Sequence, residues 1–230
     1  MMETQVHGAL QPGATGSSTH RVEHVRDLNS GTYVLRMNRG DIDFQTGQYV
    51  SVGVKGDLNM REYSVYSAPG EDFLEILVKE VEHGLVSRRL RKLQPGDLVT
   101  VEGPFGFFLI DDEWIAPRKF YFIATGTGIS PFHSFVKSYP NINYTLLHGV
   151  RTPDERYDAD IFAADRYISC VSREDGGTFR GRVTEYLRQN PPESDALFYL
   201  CGNCDMIYES FDILTGQGVE STQLFAEVYF

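Results

Sequence analysis

The order of secondary-structure signals along the chain is the feature that most limits its possible folds. From about residue 18 to 117, short β-branched and aromatic runs are separated by Gly, Pro, Asn and Asp turn signals. From residue 118 onward, continuous apolar runs alternate with helix-like stretches. The first pattern predicts a small antiparallel β-barrel with one helix, and the second predicts an open parallel α/β sheet.

The first half contains five runs typical of strands and one helical interruption. Leu74, Ile76 and Val78 alternate with other residues, as one face of a strand requires. The helix is predicted at about 85–93, between a His-Gly pair and a Gln-Pro-Gly turn. The strands are predicted at 32–37, 48–54, 62–67, 73–81 and 97–103.

The second half begins with KFYFIA (119–124), a continuous apolar run typical of a strand that is buried on both faces. Ligands of parallel α/β sheets bind beyond the carboxyl ends of the strands, so residues that directly follow these runs are candidate site residues. Further strands are predicted at 144–150, 167–172, 196–202 and 224–230, with helices at about 132–139, 155–164, 182–189 and 205–215.

The length of 230 residues fits two domains of roughly 100 residues each. We predict a flexible tail over 1–17, a barrel domain over 18–117 and an α/β domain over 118–230. The sequence has neither a signal-peptide pattern nor an apolar stretch near the ~18 residues of a membrane span. Three cysteines are too few for a disulfide scaffold, so a reducing cytoplasm is expected.

The net charge of −11 argues against generic nucleic-acid binding. One segment, SRRLRK (87–92), is nonetheless strongly basic. It represents either a solvated helix face or a docking patch for an acidic partner. The cations concerned are Arg88, Arg89, Arg91 and Lys92.

A Gly-Thr-Gly turn (126–128) lies between the first predicted strand of the second half and the helix that follows it. Such a turn allows the backbone to approach a phosphate at a helix N-terminus. No acidic residue follows the next strand, which runs instead into Arg151. Taken alone, the turn is weak support for nucleotide binding, because any tight turn can use these residues.

Four motifs taken together are a more specific signal of function than the Gly-Thr-Gly turn alone. REYS (61–64), GLVS (84–87), ATGTGISPF (124–132) and CGN (201–203) occur in this order on a barrel-then-α/β pattern. The combination resembles the ferredoxin–NADP⁺ reductase family, over nearly all of residues 20–230. The resemblance implies that the barrel binds FAD and that the α/β domain binds NADP(H).

The resemblance assigns a group of residues to FAD. Tyr63 is expected to stack on the flavin ring, Ser64 to face its N5 edge and Arg61 to pair with the phosphates. The backbone N–H groups of 85–87 and the Ser87 hydroxyl are expected to hold the pyrophosphate. The full set is Arg61, Glu62, Tyr63, Ser64, Leu85, Val86, Ser87, Thr127, Tyr229 and Phe230.

A second group is assigned to NADP(H). Cys201 resembles the family cysteine that lies beneath the nicotinamide, whereas Cys204 departs from the family's usual proline. Arginines near the predicted 2′-phosphate site favour NADPH over NADH, although they could also be ordinary surface residues. The set is Thr125, Gly126, Gly128, Arg151, Ser172, Arg173, Arg182, Cys201, Gly202, Asn203, Asp205 and Met206.

The terminal AEVYF (226–230) resembles family C-termini in which an aromatic residue covers the flavin. The resemblance gives Tyr229 that role and places Phe230 on the adenine of a folded FAD. Glu227 matches the family carboxylate that relays a proton near Ser64. The alternative is a terminal strand that simply completes the core. The predicted catalytic set is Ser64, Cys201, Glu227 and Tyr229, with no metal.

The resemblance implies hydride transfer between NADPH and FAD, and single-electron transfer between FAD and ferredoxin or flavodoxin. Three alternatives remain open. One is an NADH-dependent flavin reductase or an oxygenase reductase component, and another is a non-catalytic flavin-bearing subunit of a larger complex. The third is a thiol redox protein based on the C-x-x-C spacing of Cys201 and Cys204.

Overall fold

A computed structural model describes residues 16–193 and 195–229 of the chain. The predicted tail before residue 16 and the predicted role of Phe230 lie outside the described residues. The described chain forms two six-stranded sheets, one antiparallel and one parallel. Within it, no helix combines the length and the apolar character that crossing a membrane requires.

The antiparallel sheet curls into a nearly closed barrel, as the sequence predicted. Its strand order is β4-β3-β6-β1-β2-β5, and a bridge between Val65 and Ile76 brings the two edges together. One helix, α1 (Leu85–Leu90), covers part of it. The strands are β1 (Gly16–Asn29), β2 (Thr32–Asn38), β3 (Tyr49–Val54), β4 (Arg61–Ser64), β5 (Phe73–Lys79) and β6 (Leu98–Phe105).

Strand β1 has no counterpart among the predicted strands. It begins at Gly16, two residues inside the predicted tail, and pairs with both β2 and β6. Its sequence is rich in charged and polar residues, and only His20 and Val22 are buried along it. A strand whose outer face meets solvent has a weak apolar signal, which explains why hydrophobic periodicity did not indicate it.

The parallel sheet confirms the predicted α/β architecture, with strand order β10-β9-β8-β7-β11-β12. Its strands are β7 (Lys119–Thr125), β8 (Asn143–Val150), β9 (Tyr167–Val171), β10 (Phe179–Arg180), β11 (Leu197–Asn203) and β12 (Leu224–Tyr229). The helices are α2 (Asp112–Ile115), α3 (Ser130–Ser138), α4 (Val183–Gln189) and α5 (Cys204–Gly216).

The predicted helix at 155–164 is wrong. Residues 151–162, here called the strap, contain only two short 3-10 turns, Pro153–Glu155 and Ala159–Ile161. Between these turns Asp158 has a φ of 43°, a left-handed conformation that interrupts any helix. The strap lies against the barrel, where Thr32 donates a hydrogen bond to the Tyr157 hydroxyl (3.1 Å).

A bidentate ion pair joins the strap to the barrel. Both terminal nitrogens of Arg26 donate to the Asp158 carboxylate, at 2.9 and 2.7 Å. Tyr66 donates a third hydrogen bond to the same carboxylate at 2.9 Å. Burial opposes ionisation of Asp158, but the hydrogen bonds from Arg26 and Tyr66 outweigh it and lower the pKa of this carboxyl.

Helix α3 is attached to the same part of the barrel. The His133 ring stacks on the Tyr66 ring with centroids 3.7 Å apart, and its Nδ1 lies 2.7 Å from the Tyr66 carbonyl oxygen. Ser134 donates to the carbonyl of Ser67 at 2.7 Å. Burial lowers the pKa of His133 to about 4, so the stacked ring is neutral at physiological pH. These contacts fix the Gly-rich turn before α3 relative to the barrel.

We expect Asp158→Asn to lower the free energy of unfolding by about 1–2 kcal/mol, between the values for exposed and buried ion pairs. Asparagine tolerates the left-handed conformation and still accepts a hydrogen bond from Tyr66, so the variant removes mainly the charge. Urea unfolding at pH 7 measures the difference, and exposed Asp160→Asn is the control.

The pH dependence of this difference follows from the lowered pKa of Asp158. The stabilisation is fully present above the pKa of an unfolded aspartate, about 3.9, and is lost as pH falls through the lower folded-state pKa. Equal stability of Asp158→Asn and wild type at pH 7 would contradict the assigned role of the pair.

Candidate active site

A cleft of about 620 Å³ opens at the carboxyl ends of the parallel strands, where the sequence placed the site. Most of the residues predicted for NADP(H) line it. They are Thr125, Gly126, Arg151, Ser172, Arg173, Arg182, Gly202, Asn203, Asp205 and Met206, together with Thr127 and Tyr229 from the predicted FAD set. Gly128 and Cys201 are buried behind this wall.

The turn at the end of β7 requires glycine because it contacts the end of β11. A Cβ on Gly128 would lie 2.3 Å from the Cys201 carbonyl oxygen. Gly202 has a φ of 129°, and a Cβ there would lie 2.5 Å from Thr125 Oγ1. The backbone N–H of Asn203 donates to Thr125 Oγ1 at 3.0 Å. The two glycine motifs are therefore one packed unit that forms a wall of the cleft.

Three arginines face the cleft from neighbouring loops: Arg151 after β8, Arg173 after β9 and Arg182 at the start of α4. All three are exposed, and none forms an ion pair within the described chain. Ser172 also lines the cleft, and its hydroxyl donates to the Val150 carbonyl at 3.2 Å. Such a group of cations suits a polyanionic ligand.

The cleft also contains an ion pair that no motif indicated. Lys79, at the end of β5 in the barrel, donates to Glu155 of the strap at 2.9 Å. The second oxygen of Glu155 accepts the backbone N–H of Arg151 at 2.8 Å. Both residues line the cleft, so the barrel contributes directly to its wall. Sequence alone gave no sign of this, because the pair depends on the path of the strap.

Three of the four predicted catalytic side chains form one hydrogen-bonded group. Tyr229 donates to Ser64 Oγ at 2.7 Å, and Ser64 donates to Glu227 Oε1 at 2.5 Å. Burial raises the pKa of Glu227, although the Ser64 hydrogen bond acts in the opposite direction. The group links β4 of the barrel to β12 of the parallel sheet.

Cys201, the fourth predicted catalytic residue, pairs with Glu227 in the β11–β12 register and is fully buried. The Tyr229 hydroxyl lies within hydrogen-bonding reach of its thiol. Burial raises the pKa of Cys201 well above its usual value, so the thiol is protonated at neutral pH. This environment suits a packing group rather than a nucleophile.

Part of the predicted FAD surface lies on β4. Tyr63 is half-buried against the barrel core, and burial raises the pKa of its phenol to about 12. Arg61 and Glu62 are exposed beside it. The Arg61 guanidinium donates to the Met60 carbonyl at 2.8 Å and forms no ion pair within the described chain. It is therefore free to bind an anion.

At the start of α1, Leu85 is exposed whereas Val86 and Ser87 are buried. Ser87 Oγ accepts the backbone N–H of Val81 at 3.1 Å, so this hydroxyl helps to shape the preceding turn. The hydroxyl proton of Ser87 is still available, and the predicted contact with a pyrophosphate depends on this proton. A smaller pocket of about 270 Å³ lies here, lined by His83, Gly84, Leu85, Arg88, Arg89 and Lys92.

The predicted docking cations differ in their partners. Arg91 is tied to Asp27 at 2.9 Å and to Glu80 at 3.2 Å, and its side chain is only 21% exposed. It therefore stabilises the barrel rather than offering a free charge. Arg88 and Arg89 also contact carboxylates but are about half exposed, and Lys92 is exposed.

The residues present fit both nucleotides. The cleft offers three guanidinium groups and a tight backbone turn, as a phosphorylated dinucleotide requires. Strand β4 offers the half-buried ring of Tyr63 and the unpaired guanidinium of Arg61, groups that suit a flavin nucleotide. The Ser64 hydroxyl is buried and is already bonded to Glu227 and Tyr229. The hydrogen-bonded group of Ser64, Glu227 and Tyr229 lies where the two surfaces meet.

Comparison with known proteins agrees with this geometry. Residues 20–110 match the oxidoreductase FAD-binding domain and residues 122–210 match the oxidoreductase NAD-binding domain. The chain is 34% identical to a flavodoxin/ferredoxin–NADP reductase of Buchnera aphidicola, over 81% of this chain and 86% of that protein. It is 27% identical to a toluate 1,2-dioxygenase electron transfer component of Pseudomonas putida, over 90% of this chain and 66% of that protein.

Among solved structures, a ferredoxin NADP⁺ reductase from Neisseria gonorrhoeae with bound FAD and NADP has the same fold. The TM-score is 0.84 at 23% identity, and the match covers 95% of this chain and all of that one. The chain belongs to the ferredoxin–NADP reductase family of FAD- and NAD(P)-binding oxidoreductases.

Proposed function

We propose that the protein is a ferredoxin–NADP⁺ reductase that transfers electrons between NADPH and an acidic one-electron carrier, ferredoxin or flavodoxin. The observation that carries the proposal is the hydrogen-bonded group of Ser64, Glu227 and Tyr229, which joins the barrel to the mouth of an arginine-lined cleft. The name of the Buchnera relative supports the choice of carrier. Three free cysteines are consistent with a cytoplasmic location.

Bound FAD supplies the chemistry, because it accepts a hydride from the nicotinamide and releases electrons one at a time. The protein residues orient the bound cofactor and supply or accept the proton. Ser64 presents a hydroxyl that can donate or accept, and Glu227 holds that hydroxyl and exchanges its proton. Burial raises the pKa of Glu227, which favours the protonated carboxyl more than an exposed glutamate would.

Tyr229 controls access to Ser64. Its ring lines the cleft and its hydroxyl donates to Ser64, so a nicotinamide ring that approached Ser64 would have to displace it. We assign Tyr63 to one face of the flavin and Tyr229 to the opposite face. Tyr229 would therefore move to admit a nicotinamide, and its displacement would uncover the buried Cys201 thiol, which would offer a soft contact.

The two domains divide these tasks. We assign FAD to residues 18–117 and NADP(H) to 118–230. The 2′-phosphate of NADP(H) is assigned to Ser172, Arg173 and Arg182, because a hydroxyl and two guanidinium groups without ion-pair partners in the described chain line the same cleft. A phosphate dianion gains charge-assisted hydrogen bonds there that the 2′-hydroxyl of NADH does not make.

The direct test of the function is to identify the flavin bound to the purified protein and to titrate it anaerobically with NADPH and with NADH. We expect FAD, bleached by NADPH at much lower concentrations than by NADH. Preference for NADH would favour a flavin reductase or an oxygenase reductase component. A flavin that neither nucleotide bleaches would favour a non-catalytic electron-transfer subunit.

Replacing Tyr229 by serine tests its role as a gate. We expect Tyr229→Ser to bind NADP⁺ at least about tenfold more tightly, since the nicotinamide no longer has to displace an aromatic ring that is itself hydrogen-bonded. Turnover with a dye acceptor should fall because product leaves more slowly. Flavin difference spectra measure binding, and exposed Tyr208→Ser is the matched control. Unchanged affinity in Tyr229→Ser would show that Tyr229 is no gate.

Removing two arginines tests the choice of coenzyme. In the double variant Arg173→Ala and Arg182→Ala we expect the KM for NADPH to rise at least about tenfold, from the loss of charge-assisted hydrogen bonds. The KM for NADH should stay the same within a factor of about two, because NADH lacks the 2′-phosphate. Arg180→Ala, outside the cleft, is the control. Parallel losses with both coenzymes would refute the assignment.

The docking proposal is restricted to Arg88, Arg89 and Lys92, since Arg91 is committed to Asp27 and Glu80. Reversing these three charges to Glu should slow reduction of ferredoxin and weaken its salt dependence, while NADPH-driven dye reduction is preserved. Arg180→Glu is the control for a charge reversal elsewhere on the surface. Equal effects on ferredoxin and dye reduction would place the docking site elsewhere.

A further inference from the structure

A buried histidine lies beneath the Gly-Thr-Gly turn, and neither the motifs nor the proposed mechanism uses it. His148 belongs to β8, where it pairs with Ala124 of β7, two residues before Gly126. Its side chain has no exposed surface. Burying an imidazole costs free energy unless both ring nitrogens find partners, so the contacts of this residue indicate its purpose.

Both nitrogens of His148 are paired. Nε2 lies 2.9 Å from the Gly126 carbonyl oxygen, and Nδ1 lies 2.8 Å from the Tyr167 hydroxyl. A carbonyl oxygen can only accept, so Nε2 carries the proton and Nδ1 accepts from Tyr167. Burial lowers the pKa of His148 to about 4, which keeps this neutral form at physiological pH.

The Gly126 carbonyl belongs to a residue whose position matters for the cleft. Gly126 lines the cleft and has a φ of 54°, a conformation that glycine adopts readily. The turn has a second anchor on its other side, where Thr125 accepts the backbone N–H of Asn203. The turn is therefore held between β11 and β8, and His148 is its only side-chain anchor on the β8 side within the described chain.

We propose that His148 is a positioning residue for nucleotide binding. Its Nε2–H holds the Gly126 carbonyl beneath the cleft, so that the backbone of 126–128 is fixed in the conformation that receives the dinucleotide. This inference rests on the proposed NADP(H) function. The competing view is that His148 is a satisfied core residue that contributes only to stability, and the two views predict different results.

Three variants separate these views. His148→Gln places an amide N–H donor about as far from the backbone as Nε2, so it can still reach the Gly126 carbonyl. His148→Leu fills the space with an apolar side chain that has no donor. Tyr167→Phe removes only the partner of Nδ1. For each holoenzyme the measurements are the Kd for NADP⁺ by calorimetry, the KM and kcat with NADPH and a dye, and the thermal midpoint.

If His148 positions the turn, His148→Leu raises the Kd and the KM about tenfold because the Gly126 carbonyl loses its buried donor. His148→Gln restores both values to within about threefold of wild type, and Tyr167→Phe stays within the same range. Wild-type Kd and KM in His148→Leu, with only a lower thermal midpoint, would overturn the proposal. Equal losses of affinity in the Gln and Leu variants would overturn it as well.

Amide hydrogen exchange of residues 125–129, measured by mass spectrometry without nucleotide, provides a readout independent of the proposed function. Faster exchange there in His148→Leu but not in His148→Gln supports the anchor, and identical exchange in both contradicts it. If wild type binds neither NADP⁺ nor NAD⁺, the proposed function fails, while this measurement still decides whether His148 fixes the turn.

Discussion

The hydrogen bond between Ser64 and Glu227 joins residues from two separate sheets, and the whole site depends on keeping those sheets in register. A hydroxyl and a carboxylate 2.5 Å apart tolerate little relative movement of the domains that carry them. The structure meets this demand away from the site. The strap and helix α3 are attached to the barrel through Asp158 and His133, which both contact Tyr66. The precision of the site therefore comes from contacts that do no chemistry.

The arginines are likewise divided between structural and ligand-binding roles. In a chain with a net charge of −11, most arginines outside the cleft are paired with carboxylates, as Arg26, Arg36 and Arg91 are. The cleft arginines lack such partners within the described chain, and their positive potential is left for a ligand. An acidic protein can thus attract a polyanionic coenzyme, because the positive charges near the cleft outweigh the effect of the negative net charge there.

The sequence predicted those features of the fold that depend on local residue patterns. The barrel and the parallel sheet follow from such signals, whereas the gathering of Ser64, Glu227 and Tyr229 was implied by the family resemblance of their motifs. It failed where structure depends on distant partners. Strand β1 is polar and is held by β2 and β6, and the strap takes an irregular path because Asp158 reaches Arg26. The Lys79–Glu155 pair and the contact of His148 with Gly126 also join residues far apart in the chain.

The C-x-x-C spacing has a structural explanation that makes a thiol redox function unnecessary. Cys201 lies within β11 and is fully buried, with a raised pKa that disfavours the reactive thiolate. Cys204 begins α5, and between the two cysteines Gly202 provides the close approach to Thr125. Asn203 then caps the helix, accepting the backbone N–H groups of Asp205 at 3.0 Å and Met206 at 3.3 Å. The spacing of the cysteines thus reflects how a buried strand turns into a capped helix at the edge of the cleft.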